Sequence, residues 1–281
     1  MLRLPRISIL ALLLFARAHA YGAGPGTSAA SFLNLGYGAR VSALGEAVVG
    51  MADEVSTIYY NPAGLAFDSP ASLEPRKFES ILAHSLYLQD IRVTQFGFLR
   101  RPYAVHMTQV GIRGIERRTS ETATPEGEFR ASDLSLSFSH GRKLGPVGLG
   151  ATARLIRQTI GERSASAYAL DLGFLQRLES RPFSFGLGVM NMGSSVRFIE
   201  ESYPLPMTVR AGVTYGLSRR FPHALNLQLD LPRDGAPIVR LSMEYLGFGP
   251  FALRAGYRTQ TMAQREAALG KALGTTASGL S

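Results

Sequence analysis

Residues 225–231 read LNLQLDL, and after a break in phase at Ile238 the chain continues with VRLSMEY over residues 239–245. An apolar residue alternates with a polar one throughout both stretches. Successive side chains of a β-strand point to opposite faces, so this pattern predicts strands with one apolar and one polar face. The same alternation recurs along most of the chain after residue 80. The sequence therefore predicts an all-β protein built from antiparallel strands.

The alternating segments are separated by turn signals rich in Gly, Pro and Asp. We predict about ten strands, with a further one at residues 78–88. They lie near residues 91–99, 101–112, 131–142, 146–160, 166–177, 182–192, 206–217, 223–231, 237–246 and 250–258. Two longer connections, residues 113–130 and 193–206, are predicted to be loops.

Three features of these segments favour a transmembrane β-barrel. Segments of ~9–12 residues match a tilted strand that crosses a bilayer. Tyr and Phe recur near segment ends, as in the aromatic girdles of outer-membrane barrels. The polar face carries glycines and full charges, which suits a barrel interior. A periplasmic β-sandwich is the alternative that alternation leaves open.

Five charged residues on the polar faces are candidate lumen-facing groups: Arg154, Asp171, Arg210, Glu244 and Arg254. We interpret them as ion pairs that satisfy the barrel interior. The alternative is a polar track for a passing ligand.

The N-terminal 20 residues, MLRLPRISILALLLFARAHA, have the three parts of a secretory signal peptide. Arg3 and Arg6 precede a short apolar core, and Ala18-His19-Ala20 is a small-x-small cleavage site. The core is too short to span a bilayer. We predict export with cleavage after Ala20, and a buried N-terminal helix is the alternative.

The segment that follows the signal peptide differs from the strands, because glycines interrupt it and it does not alternate. Residues 39–48 are predicted to be a helix or a turn-rich segment. Asp53 is predicted to cap a turn over residues 54–58, with Glu54 favourable at its start. Asn61-Pro62 is a strong start signal for a helical turn, since Asn caps well and Pro fits the first position. We predict that residues 26–66 lie inside the barrel as a plug.

Composition excludes several classes of protein. The chain has 281 residues and no Cys, which excludes a disulfide scaffold and a thiolate metal site. The net charge of +9 comes from scattered arginines, not from the single basic face of a nucleic-acid-binding protein. No metal-binding His pair, Gly-x-Ser-x-Gly elbow or phosphate-binding loop occurs. We expect no enzyme activity, no cofactor, no metal and no nucleic-acid partner.

The N-terminal segment carries a specific family resemblance. It contains SFLNLGYGAR at residues 31–40, ALGEA at 43–47, ADE at 52–54 and YNPAGL at 60–65. These motifs, with LRAGYR at residues 253–258, resemble the PorV/PorQ family, a branch of the FadL-like outer-membrane barrels. The positions that carry the hatch motif are Phe32, Leu33, Gly36, Gly38, Arg40, Gly45, Asp53, Asn61, Pro62, Ala63, Gly64 and Leu65.

The resemblance implies a fourteen-stranded barrel in the outer membrane with an N-terminal hatch in its lumen. It divides the chain into a signal peptide (1–20), a hatch (21–77), barrel strands (78–260) and a non-strand tail (261–281). The sequence contains fewer predicted strands than fourteen. We therefore predict a truncated chain and an incomplete barrel with an exposed edge near residues 250–258.

Two functions follow from the resemblance. PorV-like barrels accept cargo proteins in type IX secretion, so the implied partners are secretion components and cargo proteins. FadL-like barrels admit hydrophobic small molecules such as fatty acids and hydrocarbons, which is the alternative function. Either function implies contact with outer-membrane lipid and with the barrel-assembly machinery. The sequence does not decide between them.

Overall fold

A computed structural model of the protein describes residues 27–68, 78–87, 90–118, 124–178, 181–198, 200–218, 221–248 and 251–259. The predicted signal peptide and the predicted tail at residues 261–281 lie outside the described residues.

One antiparallel sheet of 11 strands dominates the structure. Strands that are consecutive in the chain are neighbours in the sheet, with one exception. There β7 pairs with β10, and β8 and β9 between them form a separate two-stranded hairpin. The strands are β1 (Glu79–Leu86), β2 (Arg92–Arg100), β3 (Tyr103–Arg117), β4 (Gly127–Leu144), β5 (Val147–Ile160), β6 (Arg163–Arg177), β7 (Phe183–Gly193), β8 (Val196–Phe198), β9 (Glu201–Tyr203), β10 (Thr208–Ser218), β11 (Phe221–Pro232), β12 (Ile238–Phe248) and β13 (Phe251–Arg258).

The predicted all-β class and the predicted strands are confirmed, whereas both predicted loops need correction. Half of residues 113–130 is strand, because β3 runs to Arg117 and β4 begins at Gly127. The two strands continue as a ribbon past a bulge at residues 112–115, where Gly114 has a left-handed φ of 68°. Residues 193–206 contain the β8–β9 hairpin. Polar, turn-rich composition hides strands that do not contact a bilayer.

The sheet does not close on itself within the described residues. There β1 pairs only with β2, and β13 pairs only with β12. Among the described residues, the outer edge of β13 thus has no strand partner, as the sequence predicts for an edge near residues 250–258. Both edge strands run in the same direction, since an antiparallel sheet of 11 strands begins and ends with parallel strands.

The two faces of the sheet are the inverse of those in a soluble protein. The outer face is apolar and exposed at, for example, Phe96, Val105, Leu136, Leu155, Leu170, Leu187, Leu227, Leu241 and Leu253. The inner face carries buried polar and charged residues: Gln95, His106, Ser137, Arg154, Asp171, Arg210, Gln228, Arg240 and Glu244. Water solvates an apolar face poorly, whereas lipid accepts it, so this sheet suits a bilayer.

The two rims of the sheet also differ. At the short-turn rim, two to five residues of sequence separate the strands in the pairs β2–β3, β4–β5, β6–β7, β10–β11 and β12–β13. At the long-loop rim, two to fourteen residues separate those in the pairs β1–β2, β3–β4, β5–β6, β7–β10 and β11–β12. Aromatic rings pack against each other near the short-turn rim in the pairs Phe78–Phe98, Tyr103–Phe138, Phe183–Tyr215 and Tyr245–Phe248. This pattern matches one girdle of an outer-membrane barrel.

Residues 27–68, called the hatch below, precede the sheet and pack against its inner face. The hatch contains the short helices α1 (Ala39–Ala43) and α2 (Val55–Ile58) and two 3-10 turns, Ser31–Asn34 and Pro62–Ala66. Among the described residues no helix is long and apolar enough to cross a membrane.

Candidate functional site: the hatch and its seat in the sheet

The hatch contacts the inner side of all eleven strands of the large sheet. Contacts run from Gly38 against Ile81 of β1 to Gly45 against Gly256 of β13. The strands between these two contribute Gln95, His106, Gly141, Arg154, Gly173, Ser184, Arg210, Gln228 and Arg240. A segment that touches every strand requires the sheet to curl around it. The predicted placement of the hatch inside the sheet agrees with this geometry.

The corner at Asn61 is fixed by three hydrogen bonds. The Asn61 side-chain oxygen accepts from the backbone N–H of Ala63 at 3.1 Å, as an N-cap does. Its amide nitrogen donates to the backbone carbonyls of Val49 at 2.8 Å and Phe174 at 3.0 Å. Asn61 therefore caps the turn and also joins two parts of the hatch to β6. Pro62 occupies the first position of the turn, as the sequence predicts.

Inward-facing glycines of β4–β7 form what we call the glycine seat: Gly141, Gly148, Gly150, Gly173 and Gly186. A Cβ added at Gly150 or Gly173 would lie within 3.0 Å of the Asn61-Pro62-Ala63 segment. At Gly186 it would meet the backbone of Val49 at similarly short range. These glycines are needed because the hatch backbone lies directly on the wall, with no side chains between.

The opposite side of the hatch is held by what we call the charged seat, which centres on Arg40. Its guanidinium donates to both carboxylate oxygens of Glu244, at 2.9 and 2.6 Å, and to both of Asp53, at 2.8 and 3.1 Å. Glu54 lies 3.3 Å away, and Glu244 also accepts from Arg254 at 2.6 Å. The predicted hatch residues Arg40 and Asp53 thus meet the predicted wall residues Glu244 and Arg254.

A second ion cluster of the charged seat includes two residues that sequence reasoning missed, Arg240 and Glu46. Arg240 donates to Asp230 at 2.7 Å and to the hatch carbonyl of Gly45 at 2.8 Å, and lies 3.2 Å from Glu46. Arg210 lies 3.9 Å from Asp230 and over the ring of Tyr60. Its Nε makes no hydrogen bond within the described residues.

Arg154 and Asp171 form a buried ion pair at 2.7 Å on the neighbouring strands β5 and β6. Arg154 also donates to the hydroxyl of Tyr59 at 3.0 Å and lies over its ring. Tyr59 stacks on Tyr37, with ring centroids 4.5 Å apart. The pair therefore supports an aromatic layer of the hatch as well as balancing charge. Of the five predicted lumen-facing residues, Arg210 alone lacks a close ionic partner, and all five lie on the inner face.

Two glutamines that sequence reasoning missed bind the hatch backbone directly. The Gln228 side-chain oxygen accepts from the N–H groups of Val48 and Val49, both at 2.9 Å. Gln95 accepts from Gly38 at 3.1 Å and donates to the carbonyl of Gly36 at 2.8 Å. A long amide on the polar face of a strand is the only sequence signal for this role, because an amide can satisfy backbone donors and acceptors alike.

The predicted cap at Asp53 needs correction. Glu54 is the N-cap of α2 and forms a capping box with Thr57. The Asp53 carboxylate faces Arg40 instead and accepts from the Thr57 hydroxyl at 3.2 Å. A nearby guanidinium is a stronger partner for a carboxylate than a backbone amide, so the ion pair takes Asp53 away from the cap.

The electrostatics of the hatch keep the Arg40 network ionised. Burial acts against the charge of Asp53, but the attraction and hydrogen bonds of Arg40 hold the pKa of this carboxyl below its usual value. Burial likewise disfavours charged Arg40, yet Asp53, Glu244 and Glu54 raise its pKa well above the ordinary value. Burial raises the pKa of Tyr37 and of Tyr60, which therefore remain neutral.

The hatch also contributes to an apolar cluster, called the recess below. Phe32 and Leu33 of the hatch are buried against apolar inner-face residues of the wall, and Val196 and Leu205 of the long connection after β7 complete the cluster. The wall residues are Ile156, Ala165, Ala167 and Ala169. Large hatch side chains therefore fill a space that the alanines of β6 leave open.

The remaining hatch-motif positions have structural roles. Gly38 and Gly45 have left-handed φ values of 82° and 56°, which suit glycine. Gly64 lies against the backbone of Ala52, and Leu65 packs in a buried cluster with Val55 and Leu99. Within the described ranges no group of three or more His, Cys, Asp or Glu side chains lies close enough to hold a metal ion.

Comparisons with known proteins give a likeness to solved structures but none to a protein family. The sequence matches no protein-family model and no curated protein. Among solved structures, the chain is similar to "TodX deltaS2S3 mutant monoaromatic hydrocarbon channel" with a TM-score of 0.45 and 12% identity. The match covers 74% of this chain and 79% of that chain. The PorV/PorQ resemblance stays a prediction.

Proposed function

We propose that this protein is a non-enzymatic outer-membrane barrel protein that carries hydrophobic small molecules past its hatch. The apolar outer face and the aromatic short-turn rim support a position in a bilayer. Outer-membrane barrels place their short turns on the periplasmic side. The long-loop rim would then face the cell exterior.

The recess is the observation that carries the transport part of this proposal. Much of the inner face of the sheet is polar, but Ala165, Ala167 and Ala169 give it an apolar patch towards the long-loop rim. Phe32 and Leu33 occupy the space in front of that patch. If these two side chains withdraw, a dry cavity lined by alanines would remain, and such cavities bind apolar molecules.

An uptake assay tests the recess with two variants, one substituted on the inner face of the wall and one on the outer face. Ala167 faces the recess, whereas Ala153 on β5 faces outward and is exposed. Cells without their own hydrocarbon uptake protein would express each variant and receive radiolabelled toluene or palmitate. We expect uptake above the empty vector with the wild type and with Ala153→Met, and a loss with Ala167→Met because it fills the recess. Equal uptake by the wild type and the empty vector would reject the function.

A reversible disulfide tests whether the hatch must leave its seat. A Cβ at Gly50 would lie 3.0 Å from the Thr214 hydroxyl, so Gly50→Cys with Thr214→Cys can tether the hatch to β10. Gly36→Cys with Ser42→Cys, at 2.8 Å, gives a matched tether within the hatch. The protein has no native Cys that would interfere. We expect oxidation to stop uptake with the first pair only, and reductant to restore it.

The secretion function implied by the PorV/PorQ resemblance stays a prediction from sequence. It requires a surface that cargo proteins or secretion components recognise. No specific contact in the described residues favours that function over transport.

A further inference from the structure

A pocket lies at the long-loop rim, away from the hatch seat. It is formed where β3 and β4 extend beyond the rest of the sheet, beside the tight turn between β5 and β6. Its volume is about 520 Å³, within the range of small-ligand sites. Neither the Arg40 network nor the recess contributes to its lining.

Three arginines line this pocket: Arg113, Arg117 and Arg130. Within the described residues, none of their guanidinium groups forms an ion pair or a hydrogen bond. Glu128 and Glu162 also line the pocket but pair with none of the three, and the lining keeps one net positive charge. In the charged seat, by contrast, Arg40, Arg240 and Arg254 bind carboxylates, and Arg240 also binds a hatch carbonyl.

The lining leaves room for a ligand between the guanidinium groups. A Cβ at Gly161 would still lie 4.0 Å from the Arg117 Nη2 and from Phe129. A guanidinium offers its donors in a planar fork that matches the oxygens of a phosphate group, and three such forks can surround one. A carboxylate has two oxygens, which one guanidinium group can bind. Three unpaired guanidinium groups around one space therefore point to an anion with more oxygens.

The position of the pocket along the strands supports contact with lipid headgroups or with solutes near them. The outer face of β5 is apolar up to Leu155 and becomes charged at Arg157, which is exposed. Gly161 and Glu162, which line the pocket, form the turn that directly follows β5. The pocket thus lies just beyond the apolar zone, at the level where a bilayer has its polar headgroups.

We propose that this pocket binds a phosphate group, carried either by a lipid headgroup or by a soluble phosphate compound. The proposal does not depend on transport through the recess.

Binding of two probes to the purified full chain tests it. Titration calorimetry with inorganic pyrophosphate measures a soluble source. Flotation with phosphatidylcholine vesicles, with and without phosphatidic acid, measures a headgroup source. We expect saturable binding of at least one probe. Replacing Arg113, Arg117 and Arg130 together by Gln should weaken it by at least ~tenfold, because charge-assisted hydrogen bonds are lost.

The matched control replaces Arg92, Arg157 and Arg233 by Gln, which removes the same charge from exposed positions outside the pocket. It should leave binding within ~twofold, because rim charges contribute only general attraction. Binding of pyrophosphate alone would identify a soluble ligand, and a response to phosphatidic acid alone a headgroup. Failure of both probes, or an equal loss in both triple variants, would overturn the proposal.

Discussion

The two sides of the hatch are held by different physics. On the side of β4–β7, the Asn61 corner lies on the glycine seat by direct backbone contact. On the side of β11–β13, Arg40, Glu46 and the Val48–Val49 backbone reach the wall through ion pairs and amide hydrogen bonds. The first side depends on shape and the second on charge.

This difference indicates which side can release. Close backbone packing is short-ranged and is lost with small displacements. The contact between the hatch and the glycine seat is therefore either fully formed or lost. Ion pairs act over longer distances and can exchange partners. Arg210, 3.9 Å from Asp230, is positioned to replace Arg240 there if Arg240 follows the hatch. We therefore expect the hatch to pivot on the Asn61 corner and to release first at Arg40.

Loss of Arg40 should have the largest effect. Arg40→Met leaves the buried carboxylate of Asp53 without its guanidinium partner and deprives Glu244 of one of two. Breaking such a buried pair costs about 3–5 kcal/mol of unfolding free energy. Denaturant unfolding in lipid vesicles measures it, with exposed Arg92→Met as the control. A loss no greater than that of the control would show that the charged seat does not anchor the hatch.

The glycine seat is tested by two neighbouring glycines that face each other across β6 and β7. Gly173 and Gly188 are paired in register, but a Cβ at Gly173 would collide with Asn61, whereas one at Gly188 would meet nothing closer than 3.6 Å. Gly173→Ala should cost ~1–3 kcal/mol, because the hatch must shift, and Gly188→Ala should be close to neutral. The same unfolding assay compares them, and equal effects would contradict direct seating of the hatch.

Asn61→Ala should cost less, about 1–2 kcal/mol. It removes a cap and leaves the carbonyls of Val49 and Phe174 without the Asn61 donor. Asn61→Asp separates the two roles, since it keeps the capping oxygen and loses the amide donor. If Asp restored full stability, the bonds to Val49 and Phe174 would be unimportant.

Acid should loosen the charged seat alone, and by the smallest amount. The folded-state pKa of Asp53 is lowered, so its stabilising contribution is fully present above the unfolded value of about 4 and is lost as pH falls through the folded value. Limited proteolysis of the hatch across this range would show increasing cleavage near Arg40 below about pH 4. The Asn61 corner should remain protected. Simultaneous cleavage at both sites would contradict independent seats.

The strands and the inside-out faces follow from sequence because alternation is a local signal. The alternation from Leu225 to Leu231 shows which of its side chains share a face, without reference to any other strand. The charged residues Arg154, Asp171, Arg210, Glu244 and Arg254 are assigned to the inner face by the same rule.

The partners of these residues do not follow from sequence. Arg40 and Glu244 are 204 positions apart, and their pairing depends on how the hatch is rotated within the sheet. The sequence likewise shows glycines on the polar faces, but not that Gly173 contacts the hatch whereas Gly188 leaves space. Such differences depend on how the irregular hatch is positioned against the regular strands. The hatch has no sequence period from which that position could be predicted.

The contact of the hatch with all eleven strands has a consequence for assembly. The hatch precedes β1 in the chain, so it leaves the ribosome before any strand. Its side chains bind wall residues on opposite sides, since Arg40 donates to Glu244 of β12 and Tyr59 accepts from Arg154 of β5. If the strands form around the hatch, the hatch acts as the template that sets the curvature of the sheet.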